Sequence, residues 1–205
     1  MDVNRLEQQM RFLVEVDKMK SVYRRTILID KTRRESDAEH SWHFALMAML
    51  LAEYADPEKV DCARVIRMAL VHDLIEIYAG DTFAYDVQGN QDKRQRETEA
   101  ADKLFALLPE DQAAEIRALW EEFDAMETPD AQYAAAIDRL QPFLNNYLTQ
   151  GHTWGLGGVK SAQVYERMDP IRVALPQRSQ PCLCHSGEHR KRLFGRVVVH
   201  PFLEF

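Results

Sequence analysis

The sequence predicts an all-α domain, a bundle of helices joined by short connections. Apolar residues recur at helical spacing along most of the chain, beginning with Leu6, Met10 and Leu13. The eight glycines and most of the eight prolines of the chain fall between these segments. We find no convincing alternation of polar and apolar residues before residue 195, so a sheet is not expected.

Helix boundary signals place the individual elements. Ser36 and Glu39 have the spacing of a capping box, which predicts a helix start. Thr128 precedes Pro129, an arrangement typical of an N-cap followed by a first-turn proline. Gly80 is a stop signal for the helix before it. The predicted helices cover residues 6–23, 37–54, 62–78, 91–108, 110–126, 129–150 and 159–168. The last of them is expected to stop at Pro170. The predicted loops cover 24–35, 81–90 and 151–158.

The composition changes near the end of the chain. From residue 177 onward there are five Lys or Arg and only two Asp or Glu, although the chain as a whole is acidic. We therefore predict one domain over residues 1–176 and a loosely attached C-terminal tail of uncertain structure over 177–205. The tail could contain one late strand at residues 196–200.

Charge and cysteine content argue against several classes of protein. The 26 Lys and Arg against 33 Asp and Glu give a net charge of −7, which disfavours binding to nucleic acid polymers. The negative charge does not exclude small phosphorylated substrates, because a bound divalent cation supplies local positive charge. We expect no membrane association, since no apolar run is long enough to span a bilayer and no signal peptide is visible. Three scattered cysteines favour a reducing compartment, so we expect a cytoplasmic protein.

Polar side chains inside an otherwise apolar helix are the informative exceptions. His72 and Glu76 are four residues apart and share a helix face, and Asp73 is rotated by about 100° from His72. Uncompensated carboxylates are costly in an apolar core, and a divalent cation removes that cost. The alternative is a hydrogen-bonded core histidine beside a surface acid, which we would favour for a His-Asp pair alone.

Two further residues strengthen the metal hypothesis. His40 lies in the first turn after the capping box, and Asp138 lies among small and apolar residues, where a salt bridge is its alternative role. With His72 and Asp73 they form a His-His-Asp-Asp set on three separate helices. Such imidazole and carboxylate ligands suit Mn²⁺, Fe²⁺, Co²⁺, Zn²⁺ or Mg²⁺, and the lack of thiolates argues against a structural zinc site.

The order of these residues resembles the HD-domain superfamily of metal-dependent phosphohydrolases, and its 5′-deoxynucleotidase branch in particular. The resemblance extends from about Asp17 to about Asp169. The motifs that carry it are Ala38-Glu39-His40-Ser41, His72-Asp73-Leu74-Ile75-Glu76 and Gly80-Asp81.

The resemblance implies roles for individual residues. His40, His72, Asp73 and Asp138 would bind the metal, and Glu76 would assist the chemistry. Asp81 would contact substrate, or a second metal ion together with Glu76. An arginine upstream of the first histidine holds the substrate in that branch, usually beside a tryptophan. The expected substrate-binding residues are therefore Arg25, which here precedes Thr26, together with Asp81 and Thr82.

We therefore expect a metal-dependent phosphatase that acts on (deoxy)nucleoside 5′-monophosphates. A metal-activated water would attack the phosphorus, with Glu76 as general acid or base. Arg25, Arg33 or Arg34 could clamp the phosphate. The substrate is a small-molecule nucleotide, and the resemblance implies a homodimer. Two other hypotheses stay open: an HD-type hydrolase of a triphosphate, cyclic nucleotide or alarmone, and a non-catalytic helical interaction module.

Overall fold

The computed structural model describes residues 3–174, apart from the side chains of residues 172 and 173. The predicted all-α class is confirmed. The helices are α1 Val3–Val16, α2 Asp37–Leu51, α3 Cys62–Val71, α4 Glu76–Ala79, α5 Lys93–Phe105, α6 Glu110–Ala125, α7 Pro129–Leu148, α8 His152–Leu156 and α9 Ser161–Ala174. Two 3₁₀ turns, Asp17–Ser21 and Ala52–Tyr54, and two strands, β1 Tyr23–Ile27 and β2 Arg34–Ser36, complete the described part of the chain.

Helix α7 lies at the centre of the bundle, where it packs against α2, α3, α6 and α9. Its alanines, among them Ala134 and Ala136, are fully buried and let neighbouring helices approach closely. Tyr133 is also fully buried, and its hydroxyl donates a hydrogen bond of 2.8 Å to the carbonyl of Ala48 on α2. This bond links α7 to α2, the helix that carries His40.

The predicted helix starts after Ser36 and Thr128 are confirmed. Ser36 and Glu39 form a complete capping box in front of α2, in which each side chain bonds the other residue's backbone N–H. Thr128 accepts a hydrogen bond from the backbone N–H of Ala131 at the start of α7. These caps satisfy backbone donors that a helix leaves unpaired at its first turn. They fix the ends of the two helices that supply His40 and Asp138.

The predicted loop over 24–35 is wrong, because its ends form an antiparallel hairpin in which Tyr23 pairs with Ser36 and Ile27 with Arg34. The strand alternates in burial, with Arg24 and Thr26 on the inner side. Because Arg24 occupies an inner position where an apolar residue is usual, the sequence lacks the apolar alternation that would predict a strand. Its burial depends on acidic partners in distant segments, described below.

The predicted continuous helix over 62–78 is also wrong. Helix α3 ends at Val71, residues 72–75 form a tighter turn, and α4 begins at Glu76. In this turn the N–H of Leu74 bonds the carbonyl of Val71, and that of Glu76 bonds Asp73, three residues back in each case. The apolar pattern is the same for both conformations, so periodicity does not reveal the turn. The turn brings the adjacent side chains of His72 and Asp73 together.

Two predictions near the C-terminal end are wrong as well. The short helix α8 lies inside the predicted loop over 151–158, and it begins after Gly151, whose φ of 70° suits glycine. Helix α9 continues through Pro170 to Ala174 instead of stopping. Ile171 is 1% exposed within the hydrophobic core, and this packing offsets the hydrogen bond that proline removes.

The predicted tail at 177–205, including its late strand at 196–200, lies outside the described residues, so the boundary after 176 stays a prediction. Within residues 3–174, no helix combines the length and the apolar character needed to span a membrane.

Candidate metal centre

Four predicted ligands meet at one place inside the bundle. His40 comes from α2, His72 and Asp73 from the turn between α3 and α4, and Asp138 from α7. The Nε2 atom of His40 lies 3.0 Å from Asp138 Oδ1 and 3.9 Å from Asp73 Oδ2. The Nε2 atom of His72 lies 3.0 Å from Asp73 Oδ2 and 3.6 Å from Asp138 Oδ1. Residues almost 100 positions apart in sequence therefore share one small volume.

Aromatic rings enclose the imidazole of His72 on the core side. The ring centroid of His72 lies 5.2 Å from that of Phe44 and 5.0 Å from that of Phe123. His40 is fully buried, and the side chain of Asp138 keeps 17% of its exposure. The centre is therefore enclosed by apolar rings on one side, with an opening beside Asp138. Such an environment strengthens electrostatic interactions within the site.

Hydrogen bonds orient both imidazoles so that Nε2 faces the centre. His40 Nδ1 lies 2.8 Å from the side-chain oxygen of Gln141, to which it donates. Gln141 is fully buried and in turn donates to Glu35 Oε1 at 2.6 Å. His72 Nδ1 donates to the carbonyl of Ala69 at 2.9 Å. Partners of this kind fix the tautomer and ring orientation of metal-binding histidines.

The donor set fits a divalent cation. Ligand atoms of His40, His72 and Asp73 lie within 4.8 Å of one another. The buried Nε2 atom of His72 has no hydrogen bond of good geometry, although carboxylate oxygens are near. Such an unpaired nitrogen is the group that an ion would engage. Two imidazoles with two carboxylates suit Mn²⁺, Fe²⁺, Co²⁺, Zn²⁺ or Mg²⁺ and leave further coordination positions open.

The metal-free centre balances its charges internally. Burial by itself lowers the pKa of His72, but the charges of Asp73 and Asp138 outweigh it and raise that pKa to about 10. Burial disfavours ionisation of both aspartates, yet the imidazoles lower their pKa below the ordinary value. The carboxylates therefore demand positive charge nearby, which a divalent cation would supply.

Sequence reasoning missed Arg24. Its Nη1 atom donates to Asp73 Oδ2 at 2.7 Å and lies 3.4 Å from Asp37 Oδ1. Only 15% of its side chain is exposed. Prediction of strand β1 would have found it, since alternation then places Arg24 and Thr26 inward and Arg25 outward.

The three arginines predicted to bind the substrate lie away from the four-residue centre. Arg25 lies over the ring of Phe83, 4.9 Å from its centroid, and 3.7 Å from Asp86. Arg33 forms an ion pair with Glu39, and Arg34 donates to backbone carbonyls of β1. The structure does not bring these three arginines to the four-residue centre. Their contact with substrate stays a prediction.

Glu76 belongs to a second cluster of buried carboxylates, with Asp37 and Asp73, whose ligand atoms lie within 4.8 Å. Glu76 is 5% exposed, and its Oε2 atom has no hydrogen-bond partner. Burial, followed by the charges of Asp73 and Asp37, raises the pKa of Glu76 well above its ordinary value. Burial and the charge of Asp73 likewise raise the pKa of Asp37 to about 7. Sequence reasoning had missed Asp37.

Asp81 and Thr82 lie at the edge of this region. Burial raises the pKa of Asp81, and Arg24 opposes this shift, so the two side chains are within electrostatic reach. Asp81 is in neither three-residue cluster found among the described residues. Thr82 Oγ1 accepts a hydrogen bond of 3.1 Å from Arg96. A second metal ion held by Glu76 and Asp81 stays a prediction.

The fold and the site together define an all-helical domain built around a candidate His/Asp metal centre. The chain belongs to the HD domain family, whose model matches residues 16–177. This confirms the family resemblance deduced from the motifs.

Several known proteins are similar to this chain. The human 5′-deoxynucleotidase HDDC2 is 32% identical over 136 residues, which cover 66% of this chain and 65% of that protein. The bovine 5′-deoxynucleotidase HDDC2 is 34% identical over 110 residues, or 54% of this chain and 52% of its own length. The matched part thus spans at most about two thirds of these relatives.

Solved structures are similar over nearly the whole chain. A crystal structure described as a predicted metal-dependent phosphohydrolase from Magnetospirillum magnetotacticum is 48% identical, with a TM-score of 0.82. The similarity covers 98% of this chain and 96% of that one. The PH0347 protein of Pyrococcus horikoshii, at 22% identity and a TM-score of 0.62 over 93% and 98% of the chains, shares the fold.

Gln141 provides a test of the metal centre. The Gln141→Leu variant removes the acceptor that holds His40 Nδ1, so we expect the affinity for Mn²⁺ to fall about 10- to 100-fold. Isothermal titration calorimetry of the metal-stripped protein measures this. Gln132→Leu, an exposed position on the same helix, is the matched control and should keep the original affinity. Equal affinities in both variants would contradict the role of Gln141.

Proposed function

We propose that this protein is a metal-dependent phosphohydrolase that releases phosphate from deoxynucleoside 5′-monophosphates. The convergence of His40, His72, Asp73 and Asp138 is the observation that carries the proposal. The names of the similar proteins, 5′-deoxynucleotidase and metal-dependent phosphohydrolase, support the reaction class and the substrate. A non-catalytic module would have no need of the additional buried acid Glu76.

These four side chains would hold a divalent ion, which would supply activation of water and neutralisation of charge on the phosphoryl group. Burial and the neighbouring acids raise the pKa of Glu76, which favours a protonated carboxyl group. Glu76 delivers that proton to the leaving 5′ oxygen as a general acid. Arg24 holds Asp73 in place through their 2.7 Å hydrogen bond and offsets part of the acidic charge.

The substrate-binding roles of Arg25, Asp81 and Thr82 are part of this proposal. Asp81 and Thr82 begin the loop that follows α4, near the centre, and Arg25 lies against Phe83 of the same loop. We propose that this loop region holds the sugar of a small-molecule nucleotide. The net charge of −7 disfavours a nucleic acid polymer. A triphosphate, cyclic nucleotide or alarmone is the alternative substrate class.

A substrate panel tests the reaction. We expect metal-loaded protein to release inorganic phosphate from deoxynucleoside 5′-monophosphates, to stop after chelation with EDTA, and to recover when Mn²⁺ or Co²⁺ is restored. Phosphate release is measured colorimetrically and the other products by chromatography. Release of pyrophosphate or tripolyphosphate from triphosphates would favour the alternative substrates. No hydrolysis with any divalent metal would contradict the proposed activity.

Glu76 has a separate test. The Glu76→Gln variant keeps the shape of the side chain but cannot donate a carboxylic proton, so we expect kcat to fall about 10²- to 10⁴-fold. The content of bound metal, measured by plasma mass spectrometry, should stay at the original value. The matched control is Glu99→Gln on the exposed side of α5, which should keep full turnover. Full activity of Glu76→Gln would remove Glu76 from the mechanism.

We also propose that the protein works as a cytoplasmic homodimer. Helix α2 exposes Trp42, Met49 and Leu50 on its outer side, the first of them to 63%. No Asp, Glu, Lys or Arg occurs between Glu39 and Glu53, so two copies of an acidic chain can meet there without repulsion. The cytoplasmic assignment rests on the scattered cysteines, of which Cys62 carries a free thiol.

Sedimentation velocity tests the interface. We expect a dimer that Leu50→Glu converts to a monomer, because a charge on the apolar face of α2 is costly to bury. Leu13→Glu, on the exposed side of α1, is the matched control and should stay dimeric. A monomeric original protein, or dissociation by Leu13→Glu alone, would contradict the proposed interface.

A further inference from the structure

A cleft of 630 Å³ lies beside the loop that follows Asp81, between this loop and helices α7 and α9. The loop contributes Tyr85, α7 contributes Arg139, and α9 contributes Arg167. The cleft therefore combines an aromatic ring with two arginines. No step of the proposed reaction uses these three side chains.

Neither arginine forms a salt bridge or a hydrogen bond with an acidic side chain among the described residues. Arg139 donates only to the sulfur of Met126, at 3.2 Å, which is a weak acceptor. Neither guanidinium makes an ion pair with a described side chain, and Glu166, which also lines the cleft, makes none. Burial and then the charge of Arg167 lower the pKa of Arg139, and the charge of Asp138 opposes this shift only in part. Two guanidinium groups that line one cleft without an ion pair form an arrangement that an anion stabilises.

Residues that line the cleft are close in sequence to residues of the candidate site. Arg139 directly follows Asp138, whose carboxylate faces both imidazoles. The loop wall begins three residues after Asp81 and is held in shape by Arg96 of α5. Arg96 donates to the carbonyls of Ala79 and Gly89 at 2.7 and 2.8 Å. Two walls of the cleft are thus formed by residues that follow site residues closely in sequence.

We infer that this cleft binds a phosphoryl group other than the one that is hydrolysed, through the guanidinium groups of Arg139 and Arg167. The inference rests on the proposed function and deepens it, because it adds nucleotides with a second phosphate group to the substrate class. Planar guanidinium groups bind phosphate oxygens in pairs, and two of them match a dianion. The ring of Tyr85 adds a flat apolar surface to the same wall.

The first test is a binding measurement that does not depend on hydrolysis. Metal-stripped protein is titrated with inorganic phosphate in a calorimeter, and we expect binding that weakens at least about tenfold in Arg167→Gln and in Arg139→Gln. Arg11→Gln, an exposed arginine on α1, is the matched control and should bind phosphate as the original protein does. Absence of phosphate binding, or equal binding by all four proteins, would overturn the inference.

The second test compares substrates on the metal-loaded enzyme. We measure kcat/KM for deoxyadenosine 5′-monophosphate and for deoxyadenosine 3′,5′-bisphosphate, and we expect Arg167→Gln to lower the second value at least about tenfold more than the first. Equal losses would mean that the arginines hold the hydrolysed phosphate, and would overturn the inference. Failure to hydrolyse either nucleotide would count against the proposed function, while the phosphate titration still decides the cleft.

Discussion

Buried carboxylates that require positive charge are the constraint on which this structure depends. Asp73 and Asp138 lie inside a helical bundle, where an uncompensated carboxylate costs several kcal/mol. Two imidazoles and the Arg24 guanidinium meet that requirement in the described structure. Compensation by these side chains stabilises the fold. The same arrangement of imidazoles and carboxylates suits the binding of a divalent ion.

Several irregular features of the fold follow from this requirement. Helix α3 ends at Val71, and the tight turn after it brings His72 and Asp73 into contact. The hairpin places an arginine, where an apolar side chain would be usual, on the inner side of β1 beside Asp73. Gln141 links the centre to Glu35, so β2 and α7 are held together behind His40. These local deviations from ideal helices and strands therefore place the side chains of the candidate metal centre.

Much of the fold and site could be predicted from sequence because the signals are local. The capping box at Ser36 and the cap at Thr128 are formed by residues close together in sequence, so they can be recognised from the sequence alone. They position His40 and Asp138. The hairpin could not be predicted, since the burial of Arg24 depends on Asp73, 49 positions away. Asp37 was missed because its place in the carboxylate cluster likewise depends on residues distant in sequence, Asp73 and Glu76. The turn at 72–75 and the continuation of α9 through Pro170 depend on packing that periodicity does not record.

Anomalous diffraction from crystals grown with Mn²⁺ tests the central claim most directly. We expect one strong peak at bonding distance from His40 Nε2, His72 Nε2 and carboxylate oxygens of Asp73 and Asp138. A structure at full Mn²⁺ saturation with no peak among these four side chains, or with the ion held by other residues, would contradict it. The imidazole–carboxylate cluster would then be a structural ion-pair network of the core.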